Sequence, residues 1–301
     1  MSWTFAYDSP NAITRLLERE DLAMSKKFGQ NFLISHPVRE RIVDLLEVQE
    51  GQQVWEIGPG IGSITSLLLE KRAHVTAFEI DHGFCRILSE QAFGDDPLFR
   101  LVEGDALKTL STLLQSEGEP SRICGNLPYN VGSVILAKLL ESSFRPPRMV
   151  FTLQKEVVDR ICAQPGSKDW SSFSLLAQAD YEVSLAMTIN SGAFYPPPKV
   201  TSSVILFTLR GESKVDLSLR TYFFTLVRDL FAQRRKTVKN NLLGGKVGAM
   251  VGRDGVQWVL DDAHVDSSLR AEALDWDQFL ALSASLSSYR ARCTDDTAQT
   301  K

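Results

Sequence analysis

Asn126-Leu127-Pro128-Tyr129 is a tetrapeptide whose groups suit one difficult substitution, alkylation of an aromatic amine. The exocyclic amine of adenine is a weak nucleophile because its lone pair is delocalised into the ring. Two acceptors, the Asn126 side-chain oxygen and the Leu127 carbonyl, can bind its two N–H groups and favour a pyramidal nitrogen whose lone pair points at an electrophilic methyl. Pro128 fixes the backbone so that the preceding carbonyl projects, and Tyr129 offers a ring on which the base can stack. No strong side-chain base is required, since the alkylated ammonium is acidic enough to lose its proton to water. Catalysis by such a group is positioning for an in-line displacement. Taken alone, the same four residues are an ordinary strand-ending turn.

What gives the tetrapeptide meaning is its place at the end of the fourth of four apolar runs. The first, from Val54, passes through the acid Glu56 into Gly58-Pro59-Gly60-Ile61-Gly62-Ser63, a strand ending in a glycine-rich turn that brings backbone amides close to a ligand. Ser63 stands where a dinucleotide fingerprint has its last glycine, which disfavours NAD. The second run, His74 to Ile80, places Glu79 about 20 residues past the turn, where a carboxylate accepts hydrogen bonds from ribose hydroxyls. A third, Phe99 to Glu103, leads into Gly104-Asp105-Ala106, whose carboxylate can hold an adenine amino group. Gly, Glu, Asp and Asn at successive strand ends describe a cofactor with an amino-acid end, a ribose and an adenine, and S-adenosylmethionine fits that order. Strands alternating with helical patterns of this length predict an α/β fold with a parallel, doubly wound sheet. On such a sheet ligands sit at the carboxyl ends of the strands, where Gly58, Gly60, Glu79, Asp105 and Asn126 fall.

At 301 residues and 44% hydrophobic content, the chain has room for one large domain or two with a buried core. The net charge of −4 gives no global field for nucleic acid, so any basic surface must be local. Four cysteines, at 85, 124, 162 and 293, are too scattered for a zinc motif and too few for a disulfide framework; no metal site is expected. No apolar run approaches the ~20 residues of a membrane span, and the N-terminus, with Trp3, Tyr7 and Asp8, is no signal peptide. A cytoplasmic monomer is the expectation.

The flanking segments carry weaker signals. Residues 1–25 predict an amphipathic helix capped by Ser9, with no function assigned. Lys26 and Lys27, beside Phe28-Gly29-Gln30-Asn31-Phe32-Leu33, suggest a loop that touches something. A helix is expected from about Pro37 to Leu46, and after the glycine turn a crossover helix with Ile64, Leu67 and Leu68 buried. Pro196-Pro197-Pro198 predict a rigid loop ahead of Lys199, presenting Phe194 and Tyr195, with Phe194 closing the second face of the target base. The polar stretch near Gly211 to Asp216 suggests a boundary: a main domain over 26–212, a helical domain over 213–292, and a disordered tail over 293–301. In the second domain Phe223, Leu226, Val227, Leu230 and Phe231 predict one long helix. Between Arg220 and Lys246 seven basic residues face one acid, Asp229. Arg228, Arg235 and Lys239 at helical spacing, with Arg234 and Lys236 beside them, form a candidate phosphate-binding stripe.

The ordered set of motifs resembles the 16S ribosomal RNA adenine N6,N6-dimethyltransferases of the KsgA (RsmA) type. The resemblance runs from Lys26 to about Leu286, through FGQNFL (28–33), EIGPGIGSIT (56–65), FEID (78–81), GDAL (104–107), GNLPYNV (125–131), LQKEVVDR (153–160), FYPPPKVTSSV (194–204), FAQRRKTVKNNL (231–242) and LRAEAL (269–274). It implies a Rossmann-like class I S-adenosylmethionine-dependent methyltransferase domain with a small C-terminal α-helical domain, and transfer of two methyl groups to N6 of each of two adjacent adenosines. The implied substrate is the hairpin near the 3′ end of 16S rRNA in an assembling small subunit. Carried over by motif position, cofactor contacts are Asn31, Leu33, Gly58, Glu79, Asp105 and Asn126, with residues 29–31 as a flap; RNA contacts are expected at Lys26, Lys27, Lys199 and the basic stripe. Two departures are Gly132-Ser133-Val134, where the family usually has Ser/Thr then Pro, and Trp170-Ser171-Ser172, where it often has Tyr-Gly-Arg. Competing readings are a macrolide-resistance relative acting on large-subunit RNA, an RNA-binding assembly checkpoint, and a DNA or protein methyltransferase.

Overall fold

A computed structural model describes residues 3–22, 31–142 and 144–299. The chain divides into two units, Met1–Val158 with Glu182–Leu209, and Asp159–Tyr181 with Arg210–Lys301. The break after Leu209 lies close to the boundary expected near 212, whereas the one expected near 26 is absent and a further pair of breaks brackets residues 159–181. The described N-terminal residues belong to the first unit, and residues 159–181 to the second. Burial is the reason for the second difference: Ala163, Trp170, Leu175 and Ala179 sit in one apolar cluster with Phe223, Leu226, Val259, Leu274 and Phe279.

In the first unit the strands are β1 (Phe32–Leu33), β2 (Gln53–Ile57), β3 (His74–Glu79), β4 (Phe99–Glu103), β5 (Arg122–Asn126), β6 (Arg148–Gln154), β7 (Tyr181–Ile189), β8 (Phe194–Tyr195) and β9 (Ser202–Leu209). Seven of them form one sheet in the order β4-β3-β2-β5-β6-β9-β7. Strands β4, β3, β2, β5 and β6 are mutually parallel, and β9 pairs antiparallel with β6. Residues 54–57 of β2 are all buried, as a strand covered on both faces requires. Chain order runs outward from β2 in both directions, so the switch point lies between β2 and β5, the place where open α/β sheets bind ligands.

The helices of this unit are α1 (Pro10–Arg19), α2 (His36–Leu46), α3 (Thr65–Glu70), α4 (His82–Arg86), α5 (Ala106–Glu117) and α6 (Gly132–Glu141); α7 (Lys155–Cys162) carries the chain out of it. Ser9 caps α1, its hydroxyl accepting the Ala12 N–H at 3.2 Å, and Ile13, Leu16 and Leu17 are buried as the periodicity predicts. In the crossover helix the buried side is Ile64, Leu68 and Leu69, with Leu67 only partly covered. The segment 31–33, expected to be loop, includes β1, which pairs with β8 as Phe32↔Tyr195 and Leu33↔Phe194.

The second unit is helical: α8 (Ser172–Gln178), α9 (Arg220–Leu230), α10 (Val238–Gly244), α11 (Lys246–Asp262) and α12 (Trp276–Gln299). Trp170 is buried and its indole N–H donates to the Leu274 carbonyl at 3.0 Å, so this departure from the family pattern builds core. The expected helix through Phe231 is α9, which ends at Leu230 with Phe231 as its C-cap, so Arg235 and Lys239 lie beyond it. Thr237 starts α10 by accepting the Asn240 N–H at 3.3 Å, and the Asn241 side-chain amide donates to the carbonyls of Leu230, Gln233 and Lys236 at 2.8, 3.2 and 3.4 Å. Those bonds favour a closed turn over continued helix. Arg228, Arg235 and Lys239 therefore do not share one helical face. Residues 293–299, expected to be a disordered tail, continue α12.

Candidate active site

The turn after β2 is built by backbone conformation. Gly58 has φ 70°, a region side chains seldom adopt, and a Cβ there would meet no protein atom within 4 Å. Gly58 lines a cavity of ≈ 450 Å³, so that open space is the cavity itself. This volume lies in the ~300–1,000 Å³ range of small-molecule sites. The same cavity reaches Asn31, Leu33, Glu79, Asp105 and Asn126, so all six positions expected to contact the cofactor meet there, with Gly60 beside them. Nothing in that convergence was forced by proximity in sequence, since the residues span almost a hundred positions.

Glu79 ends β3 almost fully buried, and its carboxylate accepts three backbone N–H groups: Gly60 at 3.0 Å, Ile80 at 2.8 Å and Asp81 at 2.9 Å. Burial pushes its carboxyl above the usual carboxylate range, and the three amide bonds oppose that shift. A carboxylate has about four acceptor positions, which leaves room for a ribose hydroxyl. Asp105 caps α5, one oxygen accepting the Leu107 N–H at 2.9 Å, and Gly104 donates to the Glu79 carbonyl at 2.7 Å. These two carboxylates on adjacent strand ends, above an open glycine turn, fit the ribose and base of a nucleoside cofactor.

Glu56, the acid inside the first apolar run, also reaches the cavity wall. Its position before the glycine turn was the available signal, and no role was assigned to it. It is 1% exposed and accepts the Thr65 hydroxyl at 2.6 Å. Burial pushes its carboxyl up to about 7, with the Thr65 bond opposing and the Glu79 charge adding.

Asn126 closes β5. A Cβ on the preceding Gly125 would stand 2.5 Å from the Ile57 carbonyl oxygen, so only glycine lets β5 end this close to the turn. The Asn126 Nδ2 donates to the Asn31 carbonyl at 2.8 Å. A carbonyl can only accept, so this bond fixes which way the carboxamide points and turns Oδ1 away as an acceptor. The Pro128 carbonyl is taken by the amides of Val131 at 3.2 Å and Gly132 at 2.7 Å. Among the described residues the Leu127 carbonyl accepts no hydrogen bond. Tyr129 lines the cavity, its phenol bonded to the Ser202 hydroxyl at the start of β9; burial pushes the phenol above its ordinary value and the Ser202 bond opposes.

Phe194 is different. It is 2% exposed and lies in the buried cluster that holds Leu33, Ile189 and Val204, and it does not line the cavity. Pairing of β8 with β1 turns its ring inward, which corrects the expectation of a second stacking face. Lys199, in the proline loop, is exposed. Lys26 and Lys27, and the flap positions 29 and 30, lie outside the described residues. Arg228, Arg234, Arg235 and Lys236 are exposed; Arg234 donates to the Lys168 carbonyl at 2.9 Å, and Lys239 donates to Gln257 at 2.7 Å. Among the described residues no group of His, Cys, Asp and Glu is placed to hold a metal ion, and no helix is long and apolar enough to cross a membrane.

Known proteins are similar along nearly the whole chain. A family profile described as "Ribosomal RNA adenine dimethylase" matches residues 22–287. "Ribosomal RNA small subunit methyltransferase A" of Treponema denticola is 41% identical over 278 residues, covering 92% of this chain and 94% of that one. The protein of the same name from Borreliella burgdorferi is 36% identical over 290 residues, covering 96% and 98%. A dimethyladenosine transferase from Plasmodium falciparum superposes with a TM-score of 0.70 over 85% of this chain and 97% of that one, at 22% identity, a likeness of fold. The fold is that of Rossmann-like class I methyltransferases with a C-terminal helical region. The chain belongs to the ribosomal RNA adenine dimethylase family and is an S-adenosylmethionine-dependent rRNA adenine N6,N6-dimethyltransferase.

Proposed function

We propose that this enzyme dimethylates N6 of two adjacent adenosines in the hairpin near the 3′ end of 16S rRNA, acting as a cytoplasmic monomer on the assembling small subunit. The names of the curated relatives support the small-subunit substrate. The observation that carries the chemistry is the Asn126 carboxamide, held by the Asn31 carbonyl with its own oxygen turned outward. Asn126 Oδ1 and the Leu127 carbonyl accept the two N–H groups of the target amine, and Tyr129 stacks on the base. Gly58, Gly60, Glu79, Asp105, Asn31 and Leu33 hold the cofactor, whose sulfonium supplies the electrophilic methyl. Water takes the proton afterwards. The deciding experiment is transfer of labelled methyl to small and large subunits, both lacking the modification and supplied together, with the product nucleotides identified by mass. Dimethyladenosine at two neighbouring positions of the 3′ hairpin is expected; label confined to large-subunit RNA would overturn the substrate, and binding without transfer would overturn the enzymatic reading.

RNA is held in part by the basic turn between α9 and α10. Arg235 and Lys236 are exposed there, whereas Arg234 and Lys239 already have protein partners. Lys199 is a further exposed cation available to phosphates, and Arg228 is exposed as well. Each phosphate contact contributes about 0.7–0.9 to the slope of log affinity against log salt. Arg235→Glu with Lys236→Glu is expected to weaken RNA binding by about tenfold and to flatten that slope by roughly one to two, with cofactor affinity unchanged. A salt titration of binding checks this; an unaltered slope would return the turn to a merely solvated surface.

A further inference from the structure

The described part of residues 1–25 does not line the cavity, yet it touches the site through one buried cation. Arg39, on α2, is 3% exposed. Its Nη1 donates to the Leu33 carbonyl at 3.0 Å, and its Nη2 pairs with Asp8 at 2.5 Å and lies 3.4 Å from His36 Nδ1. The guanidinium carbon is 5.6 Å from the centre of the Tyr7 ring, and Nε is buried without a hydrogen-bond partner. Among the described residues Asp8 is the carboxylate that pairs with this buried charge, and it comes from the N-terminal segment.

The strand that Arg39 holds is β1, and its two residues with the preceding Asn31 touch three parts of the site. The Asn31 carbonyl orients the Asn126 carboxamide. Phe32 places a ring carbon 3.3 Å from where a Gly60 Cβ would be, against the glycine turn. Leu33 forms cavity wall. A strand of two residues with one partner strand has few bonds of its own. Leu33 is buried in the core of the sheet, and Phe32 is tied to the N-terminal segment: Tyr195, opposite it, shares a hydrogen bond of 2.9 Å with Thr14, and Phe32, Ile61 and Phe84 share one buried cluster with Tyr7, Ile13, Leu16 and Leu17.

We infer that Asp8 and Arg39 are positioning residues for methyl transfer: the N-terminal segment pins strand β1 through this ion pair, and β1 in turn aims the Asn126 carboxamide. This rests on the family's reaction and not on which RNA hairpin is the substrate. Asp8→Ala is expected to lower kcat about tenfold and to weaken cofactor binding several-fold, since misplacement of about 1 Å costs up to about 10²-fold. Asp8→Glu restores both.

A purely structural role is separated by Asp8→Ala with Arg39→Leu. Arg39 is buried whereas the Asp8 side chain is 60% exposed, so the charge that needs a partner is the guanidinium: removing Asp8 alone leaves it uncompensated, and replacing Arg39 by an apolar side chain removes that need. The double variant is therefore expected to melt close to the unaltered protein while kcat stays about tenfold low. Recovery of kcat along with stability would overturn the inference, as would an Asp8→Ala enzyme within twofold of the unaltered one in both kcat and cofactor affinity. Calorimetric titration of the free enzyme with S-adenosylmethionine reads the affinity without any RNA, so an error in the proposed substrate would show separately, as absent transfer by the unaltered enzyme. RNA affinity, measured in parallel, is expected to stay unchanged.

Discussion

Asn126→Ala is expected to lower single-turnover methyl transfer by about 10²- to 10³-fold, the usual consequence of removing one preorganised hydrogen-bonding group from a reacting centre. The target amine loses the acceptor that helps draw its lone pair out of the ring, and the Asn31 carbonyl loses its donor. Affinity for RNA, measured by filter binding, is expected to remain near that of the unaltered enzyme. Asn126→Asp divides the effect into its parts. Aspartate keeps an acceptor for the amine but has no N–H for Asn31, so its oxygen faces a carbonyl oxygen and is driven out of place. A loss nearly as large as that of alanine would assign the effect to orientation. Undiminished turnover in Asn126→Ala would remove the residue from the mechanism.

Glu79→Gln is expected to weaken S-adenosylmethionine binding by tenfold or more and to lower the melting temperature by several degrees. The carboxylate offers acceptors to the amides of Gly60, Ile80 and Asp81 at once. A carboxamide replaces one oxygen by an N–H₂ group, so at least one buried backbone donor is left facing another donor. Each such unmet group costs about 1–3 kcal/mol, and in a protein of this size about 1 kcal/mol moves the midpoint by roughly 2–4 °C. The Gly60 amide belongs to the turn that faces the cofactor, so the ribose contact and the shape of the turn fail together. Calorimetric titration and thermal melting check both effects. Unchanged affinity would show that the acid serves the turn and not the cofactor.

The site was legible where chemistry sits at strand ends. Gly58, Glu79, Asp105 and Asn126 each follow an apolar run, and a parallel sheet puts the ends of such runs side by side. The pairing of β1 with β8 was not legible, because two-residue strands about 160 positions apart leave no periodicity to read. Phe194 was misplaced for that reason: proline flanks suggested a presented ring, while a distant partner strand turns it into the core. The basic stripe failed differently. Charges at helical spacing promised one face, but Thr237 and Asn241 spend their side chains on a turn, and local side-chain bonds defeat periodicity. Arg39 carries no signal in the sequence, since its carboxylate partner is 31 positions away.

The helical unit draws part of its interior from a segment that precedes the last strands of the sheet. Trp170, Leu175 and Ala179 are made before the residues that bury them, which run from Val215 to Leu286. A nascent chain therefore carries an indole and several aliphatic side chains uncovered until that later stretch has been made, a state prone to association. It follows that residues 213–301 are not a portable cassette. Cut out alone, they lack the indole that donates to Leu274 and face water with the apolar surface it covered. Grafting this helical unit onto another protein would have to transplant residues 159–181 as well, by two insertions and not by one fusion.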